Sequence, residues 1–251
     1  MARKMTVAMK KGGSGKTTTT VNLATALVLR GKRVLFVDLD PQANATIALG
    51  INPLEARYTV NDLFVSDHLE PREAVVTKFG LHVLAGHTAL ARAESGMQPS
   101  DVVALRRILS PIEADYDYVI LDVPPSDSYL TANALAYATE VIIPLQAHYF
   151  AIEGLTQAIE QVSAVRSGLN PEINIIGILP TMVNGRTNIA RSVIETVQKQ
   201  YPDSIYPFVV EFSVRHPEAT AAGVPIVIYD PNHPGSLAYK RLAEYLDEQA
   251  A

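Results

Sequence analysis

The sequence predicts an α/β fold, a single-domain doubly wound sheet that is mostly parallel and has helices on both faces. Apolar runs alternate with helical patterns along the chain in the order strand, helix, strand, helix. Several of these runs are continuous, which is typical of strands buried on both faces in a parallel sheet. A glycine-rich segment separates the first predicted strand from the first predicted helix. Short connections without a repeat or a low-complexity linker favour one domain over residues 1–251.

The predicted elements follow from these patterns in chain order. The first strand, 6–9, leads through the glycine-rich segment into a helix over 17–30, and a second strand follows at 34–37. The other predicted strands share a short apolar run and lie at 81–84, 118–121, 141–143, 173–179 and 206–210. The other predicted helices have apolar residues at helical spacing and lie at 101–114, 131–138, 151–167, 187–200 and 236–248. The least regular stretch is 50–80, and the turn-rich residues 231–235 lead into the last helix.

Composition excludes several classes of protein. A hydrophobic content of 48% is too high for a disordered chain and is enough for a substantial core. The absence of cysteine excludes disulfides, cysteine-based zinc sites and cysteine-ligated iron–sulfur clusters. The N-terminus lacks the apolar stretch of a secretory signal, and no window approaches the roughly 18 apolar residues of a membrane span, so we expect a cytoplasmic protein. The net charge of −5 requires any nucleic-acid binding to come from a local patch.

The glycine-rich segment predicts a phosphate-binding loop. It reads Lys11, Gly12, Gly13, Ser14, Gly15, Lys16, Thr17 and Thr18. Glycines let the backbone turn its N–H groups toward a polyphosphate, and the helix that follows adds its positive dipole. In this motif Lys16 reaches the β- and γ-phosphates, and the Thr17 hydroxyl binds Mg²⁺. Position 10 is lysine where the standard motif has glycine, and Lys11 is surplus for nucleotide binding. The alternative interpretation is that Lys10 and Lys11 are solvated surface charges.

Acidic residues follow two of the predicted strands. Asp38 and Asp40 come after the second strand, at the edge of a parallel sheet where ligands bind, so we expect them near Mg²⁺ and an attacking water. A strand-end aspartate also caps turns, and Asp40 is the stronger functional candidate of the two. Asp122 ends the strand 118–121 and has the form of the Mg²⁺-binding acid of phosphate-loop enzymes. The prolines at 124–125 stiffen the turn after it, which suits a segment that senses the γ-phosphate.

Three segments together resemble the ParA/MinD group of deviant Walker ATPases, and most of all ParA, the plasmid and chromosome partitioning ATPase. These segments are 11–18, 38–46 and 122–126. The resemblance continues in order and at matching spacing through 143–146, 151–155, 181–182, 186–188, 214–215, 218–219, 229–231 and Gly235. It therefore covers nearly the whole chain and implies a phosphate-loop NTPase fold.

The resemblance implies a Mg²⁺-dependent ATPase that forms a homodimer on ATP binding. Lys11 is similar to the signature lysine that crosses the dimer interface to the phosphates of the other subunit, so the resemblance makes Lys11, Lys16 and Asp40 catalytic. In this family Asp40 corresponds to the acid that positions the attacking water. Thr17, Asp38 and Asp122 are the implied metal-site residues. The ATP-bound dimer is expected to bind DNA without sequence preference, through Arg186 and Arg215.

The resemblance also implies a cellular role. A ParB-like protein is the expected partner that stimulates hydrolysis, and the expected role is to segregate or position a plasmid, a chromosome or another cargo on the nucleoid. The chain starts almost directly at its first strand, so we expect no N-terminal DNA-reading extension. One position and two short segments depart from the family pattern: Ser14 replaces the usual valine, 127–128 replaces Leu-Gly, and 211–213 replaces the Pro-Arg-Asn that contacts the base region.

Other functions remain open at this stage. A MinD-like membrane-cycling ATPase needs a basic amphipathic tail, whereas Glu244, Asp247 and Glu248 in the tail 237–251 oppose anionic lipid. We therefore expect a last helix that packs on the core, and no membrane partner. Electron-transfer or metal-delivery ATPases of the superfamily depend on cysteine ligands, which this chain lacks. A ligase with an acyl-phosphate step is a further alternative, but no dedicated small-substrate site is readable in the sequence.

Overall fold

Seven strands form one sheet in the computed structural model, which describes residues 1–249. Their bounds are β1 Arg3–Val7, β2 Val34–Asp38, β3 Val75–Lys78, β4 Leu81–Leu84, β5 Tyr118–Asp122, β6 Glu140–Gln146 and β7 Asn174–Thr181. The strand order is β3-β4-β2-β5-β1-β6-β7, and every neighbouring pair is parallel except β3 with β4. The predicted mostly parallel sheet is therefore confirmed.

Helices cover both faces of this sheet. They are α1 Lys16–Leu29, α2 Asn44–Ala48, α3 Val60–Val65, α4 Leu90–Ser95, α5 Ala104–Leu109, α6 Tyr129–Tyr137, α7 Ala151–Gly168, α8 Asn188–Gln200, α9 Arg215–Ala221, α10 Ile226–Tyr229 and α11 Pro234–Glu248. On β2, Phe36 packs into the core beneath α1 and α11, whereas Leu35 and Val37 pack into the core beneath α3, α5 and α6. Because the central strands are buried on both faces, their sequence is continuously apolar rather than alternating.

The last helix packs on the core, as the sequence predicts. Leu242 and Leu246 of α11 are fully buried in the same core cluster as Leu23 and Leu27 of α1. The final residues of the predicted tail, 250–251, lie outside the described part of the chain. Within residues 1–249, no helix combines the length and the apolar character needed to span a bilayer.

Two edge elements differ from the sequence prediction. The predicted strand 206–210 is instead a loop that donates hydrogen bonds to β7 from the N–H groups of Tyr206 and Val210. Pro207 lies between them and has no N–H with which to continue a ladder. The unpredicted strand β3 forms a short hairpin with β4, and Phe79 and Gly80 turn the chain between them with positive φ values of 52° and 79°. Such a pair of positive φ values suits a two-residue hairpin turn.

Two predicted boundaries also change. The first strand begins at Arg3 instead of residue 6, because the basic side chains at its start are paired: Arg3 with Glu140 and Lys4 with Glu113. The predicted helix 101–114 is broken into α5 between two short 3-10 helices, Pro99–Val103 and Glu113–Asp115. Pro111 lies two residues after the end of α5, and a proline cannot continue the helical hydrogen bonds.

Candidate active site

Three adjacent strands end at one edge of the sheet and bring the predicted site residues together. β5 lies between β1 and β2, and Asp38 and Asp122 are register partners at the ends of β2 and β5. The loop after β1 leads into α1, which begins at Lys16. The topology therefore places the phosphate loop next to both acidic strand ends, as expected for a parallel sheet.

The backbone of the phosphate loop depends on its glycines. Gly13 and Gly15 have φ values of 71° and 88°, a conformation that other residues rarely adopt. A Cβ atom added to Gly12 or Gly13 would meet no heavy atom within 4 Å, so the loop faces open space on that side. The Thr181 hydroxyl donates a hydrogen bond of 2.9 Å to the Ser14 carbonyl and ties the loop to β7. The first turn of α1 thus presents its N–H groups beside an open cradle that suits an anion.

The three lysines of the loop point to different partners. Lys16 is only 6% exposed, and its Nζ donates to the Lys11 carbonyl at 3.3 Å. Burial lowers the pKa of Lys16, and the charges of Asp122 and Asp40 oppose that effect. Lys10 forms an ion pair of 2.7 Å with Asp127. Lys11 is exposed, and its Nζ lies against Nε2 of His148 rather than inside the loop.

Asp122 is fully buried and hydrogen-bonded to α1. Its Oδ2 accepts from the Thr17 hydroxyl and its Oδ1 from the Thr20 hydroxyl, both at 2.9 Å. Burial raises the pKa of Asp122, and the nearby charge of Asp38 raises it further. A buried carboxylate beside a threonine hydroxyl is costly without a cation, so this arrangement favours a positive ligand at this point.

Asp38 and Asp40 have different surroundings. Oδ2 of Asp38 accepts from the backbone N–H of Thr46 at 2.9 Å and from its hydroxyl at 2.7 Å, and Oδ1 accepts from the Asp40 N–H at 3.1 Å. Burial raises the pKa of Asp38. Asp40 is 6% exposed and accepts one bond, from the Gln42 N–H at 2.9 Å. Asp38 therefore anchors the segment after β2, whereas Asp40 keeps an oxygen that accepts nothing from the described residues.

The predicted oxygen donors fit Mg²⁺ bound together with a nucleotide. Mg²⁺ prefers oxygen ligands and is commonly held by one or two protein groups together with substrate phosphates. Thr17 and Asp122 supply such groups beside the open face of the loop. Residues 1–249 contain no cluster of three or more histidine, cysteine or acidic side chains arranged to hold a metal by themselves. The donor set therefore suits a metal that arrives with phosphate.

Several contacts of the site were missed by sequence reasoning. Thr46, which fixes Asp38, lies within the matched segment 38–46, but its spacing alone does not reveal its partner. His148 is 137 residues from Lys11 in the chain, and no local pattern signals their contact. Asp127 is visible in the sequence as a departure from the family pattern, and the structure gives it two partners, Lys10 and Gln161.

The two arginines predicted to bind DNA lie on neighbouring segments, since Arg186 is in the loop after β7 and Arg215 is the first residue of α9. The loop after β7 and the loop before α9 meet where the Phe212 N–H donates to the Val183 carbonyl at 3.1 Å. Arg186 is exposed and has no ion pair among residues 1–249. Arg215 lies 2.9 Å from Glu218 and 3.6 Å from Asp230, and its guanidinium is 5.9 Å from the Tyr229 ring centre.

Comparison with known proteins gives consistent matches. A sequence profile for an AAA domain matches residues 2–175. The sporulation initiation inhibitor protein Soj of Bacillus subtilis is 42% identical over 248 residues, covering 97% of this chain and 98% of Soj. The chromosome partitioning protein ParA of Caulobacter vibrioides is 39% identical over 246 residues, which cover 96% of this chain and 92% of that protein.

A solved structure gives the same fold. The crystal structure of cobyrinic acid a,c-diamide synthase from Mycobacterium smegmatis, with a bound ATP analogue and magnesium, superposes with a TM-score of 0.85 at 33% identity. The superposition covers 98% of this chain and 94% of that one. The fold and the sequence matches thus extend over the same, nearly complete length.

Proposed function

The chain belongs to the ParA family of deviant Walker ATPases, and on that premise we propose that it is a Mg²⁺-dependent, dimerising ATPase that positions DNA or another cargo. ATP binding closes a homodimer, the dimer binds DNA without sequence preference, and hydrolysis releases it. A ParB-like protein stimulates hydrolysis, and the site of action is the nucleoid in the cytoplasm. Cargo of this kind includes a plasmid, a chromosome or a protein assembly.

The observation that supports this proposal best is that Lys11 and Lys16 point in different directions. Lys16 is buried inside the phosphate loop, where it suits the phosphates of its own subunit. Lys11 is exposed and directed out of that loop, where it suits the phosphates of a second copy. A cation supplied from another subunit neutralises charge that develops on the transferred phosphoryl group.

The remaining site residues take roles that match their contacts. Thr17 would hold Mg²⁺ directly and Asp122 through a water, because the two side chains already meet. Bound Mg²⁺ would neutralise phosphate charge. Asp40, with its free oxygen, would orient the attacking water. Asp38 stays a predicted metal-site residue, but its three hydrogen bonds favour a role in orienting Asp40.

DNA binding is the part of the proposal that most needs a direct test. Binding of labelled duplex DNA should be measured with ATP, with ADP and without nucleotide, at several salt concentrations. We expect binding with ATP alone, independent of sequence and weakened by salt because counterions are released from phosphates. Equal binding under all three nucleotide conditions, or none with ATP, would contradict the proposed function.

A further inference from the structure

His148 lies in the turn between β6 and α7, where it touches two groups at once. The turn is fixed by the backbone, since the His148 N–H donates to Gln146 at 2.8 Å and its carbonyl accepts from Ala151 at 3.0 Å. Ring atom Nε2 lies against Nζ of Lys11. Ring atom Nδ1 accepts from the Phe150 N–H at 3.0 Å. The imidazole therefore connects the exposed lysine to the start of α7.

The chemistry of imidazole prevents both contacts from being hydrogen bonds at the same time. A neutral ring has one N–H and one acceptor nitrogen, while the Lys11 ammonium and the Phe150 amide are both donors. When Nδ1 accepts from Phe150, Nε2 carries the proton and cannot accept from Lys11. The other neutral tautomer binds Lys11 and releases Phe150. A protonated ring has two donors and binds neither group.

We propose that His148 is a positioning residue that holds Lys11 within its own subunit and releases it when the imidazole becomes protonated. Lys11 cannot contact His148 and the phosphates bound by a second copy at the same time. The contact with His148 therefore opposes closure of the dimer. The inference rests on the proposed function, because it assigns Lys11 a target in a second copy. It adds an inhibitory contact to that function, and the strength of this contact depends on the protonation state of His148.

The charged groups around His148 support this competition. From the phosphate loop, Lys11 faces the ring directly, while Lys10 is paired with Asp127 at 2.7 Å. Asp127 also accepts from Gln161 of α7 at 2.9 Å, and Glu153 is the acidic residue in the first turn of α7. Burial lowers the pKa of His148, and the Lys11 charge lowers it further. Departure of Lys11 therefore raises the pKa of His148, and by reciprocity protonation of His148 favours the departure of Lys11.

The contact itself is testable in nucleotide-free protein by NMR titration of the histidine rings. We expect His148 to titrate at a higher pH in Lys11→Ala than in the wild type. Lys10→Ala is the matched control and should shift the His148 titration less, and His148→Gln assigns the signal. Identical titration of His148 in the wild type and in Lys11→Ala would overturn the inference, and this readout does not depend on dimerisation.

The consequence for assembly is tested in an Asp40→Asn background, chosen to slow hydrolysis, with ATP at about pH 6 and about pH 8. His148→Ala removes the acceptor and should lower the dimer dissociation constant about fivefold at the higher pH, as expected for one lost hydrogen bond. His148→Gln keeps an acceptor that does not titrate. It should match the parent at the higher pH and lack the parent's tightening at the lower pH.

The outcomes separate the inference from the proposed function. Identical dissociation constants for the parent, His148→Ala and His148→Gln at both pH values would overturn the inference, and so would a weaker dimer in His148→Ala. Melting temperatures near that of the parent would show that the variants fold. If no form dimerises while the NMR titration shows the expected Lys11 effect, the proposed dimer fails but the contact with His148 stands.

Discussion

The charged side chains other than Lys11 are buried at the nucleotide edge of the sheet, formed by the phosphate loop, Asp38, Asp40 and Asp122. They are exposed on the predicted DNA face, formed by Arg186 and Arg215. At the nucleotide edge, Lys16 is 6% exposed and Asp122 is fully buried, and both have fixed partners inside the chain. On the DNA face, the Arg215 side chain is 48% exposed and shares its charge with two carboxylates, while Arg186 extends into solvent. Buried charges of this kind destabilise the empty protein, whereas exposed pairs contribute little to its stability.

This difference indicates which parts of the function are built into one copy of the chain. At the nucleotide edge, hydrogen bonds within the chain hold Lys16, Thr17 and Asp122, so we expect ATP and Mg²⁺ to bind there with little reorganisation of these groups. On the DNA face, Arg215 gains attraction to phosphate only when it exchanges its contacts with Glu218 and Asp230 for a contact with phosphate. We therefore expect substitutions at the nucleotide edge to have large effects and those on the DNA face to have small, salt-dependent effects.

The largest effect is expected at Asp40. Asp40→Asn should lower the rate of ATP hydrolysis about 100-fold, because the amide is a poor acceptor for the proton of the attacking water. ATP affinity should change little, since Asp40 is not part of the phosphate loop. Phosphate release and nucleotide binding measure the two quantities. Asp115→Asn is the control, because Asp115 lies in the 3-10 helix that precedes β5, at the opposite end of that strand from Asp122. Wild-type hydrolysis by Asp40→Asn would remove Asp40 from the site.

A moderate effect on stability is expected at Asp122. Burial raises the pKa of Asp122 from 3.8 to about 8, so between these pH values the folded state keeps a proton that the unfolded state loses. Its contribution to stability therefore decreases as the pH rises from about 4 to about 8. In the absence of nucleotide and Mg²⁺, Asp122→Asn should have the higher free energy of unfolding, by about 1–3 kcal/mol near neutral pH.

Chemical denaturation across this pH range measures that prediction. The difference between the wild type and Asp122→Asn cancels the titration of other groups and should grow with pH. Addition of ATP and Mg²⁺ should stabilise the wild type more than the variant. A difference that does not vary with pH would contradict the buried, cation-requiring character of the nucleotide edge.

The smallest effects are expected on the DNA face. Arg186→Ala should weaken ATP-dependent DNA binding about threefold to tenfold and reduce the salt dependence by about one phosphate contact. Arg215→Ala should weaken DNA binding less than Arg186→Ala does, because Arg215 is held by Glu218 and Asp230 in the free protein. Glu218→Gln should strengthen binding by freeing Arg215. A larger loss in Arg215→Ala than in Arg186→Ala would reverse the comparison.

The sequence was sufficient to predict which residues meet at the nucleotide edge, because strands and helices that are readable from the local sequence place those residues. A strand, a glycine loop and a helix place Lys16 and Thr17, and an apolar strand places Asp122 beside them. The sheet was predictable for the same reason, apart from its edges: β3 has four residues and the loop 206–210 is interrupted by Pro207. The strand β3 was missed because two apolar residues are too few for a clear pattern, whereas 206–210 was predicted as a strand from an apolar run that Pro207 interrupts.

Contacts between distant parts of the chain were not predictable. The pairing of Arg215 with Asp230 and the contact of Lys11 with His148 depend on how separate loops meet after folding. The ion pair of Arg215 with Glu218 is readable from their i,i+3 spacing on α9, whereas its second ion pair, with Asp230, is not. Exposed charges therefore needed the structure, whereas buried ones were signalled by the strands and helix that bury them.

The most direct test of the central claim is ATP-dependent dimerisation of Lys11→Ala, measured by light scattering together with ATP binding and hydrolysis. Lys10→Ala is the matched control, because Lys10 is adjacent but paired with Asp127. The account predicts that Lys11→Ala binds ATP with nearly wild-type affinity but neither dimerises nor hydrolyses it, whereas Lys10→Ala retains both. Dimerisation and hydrolysis by Lys11→Ala at wild-type levels would show that Lys11 is only a surface charge.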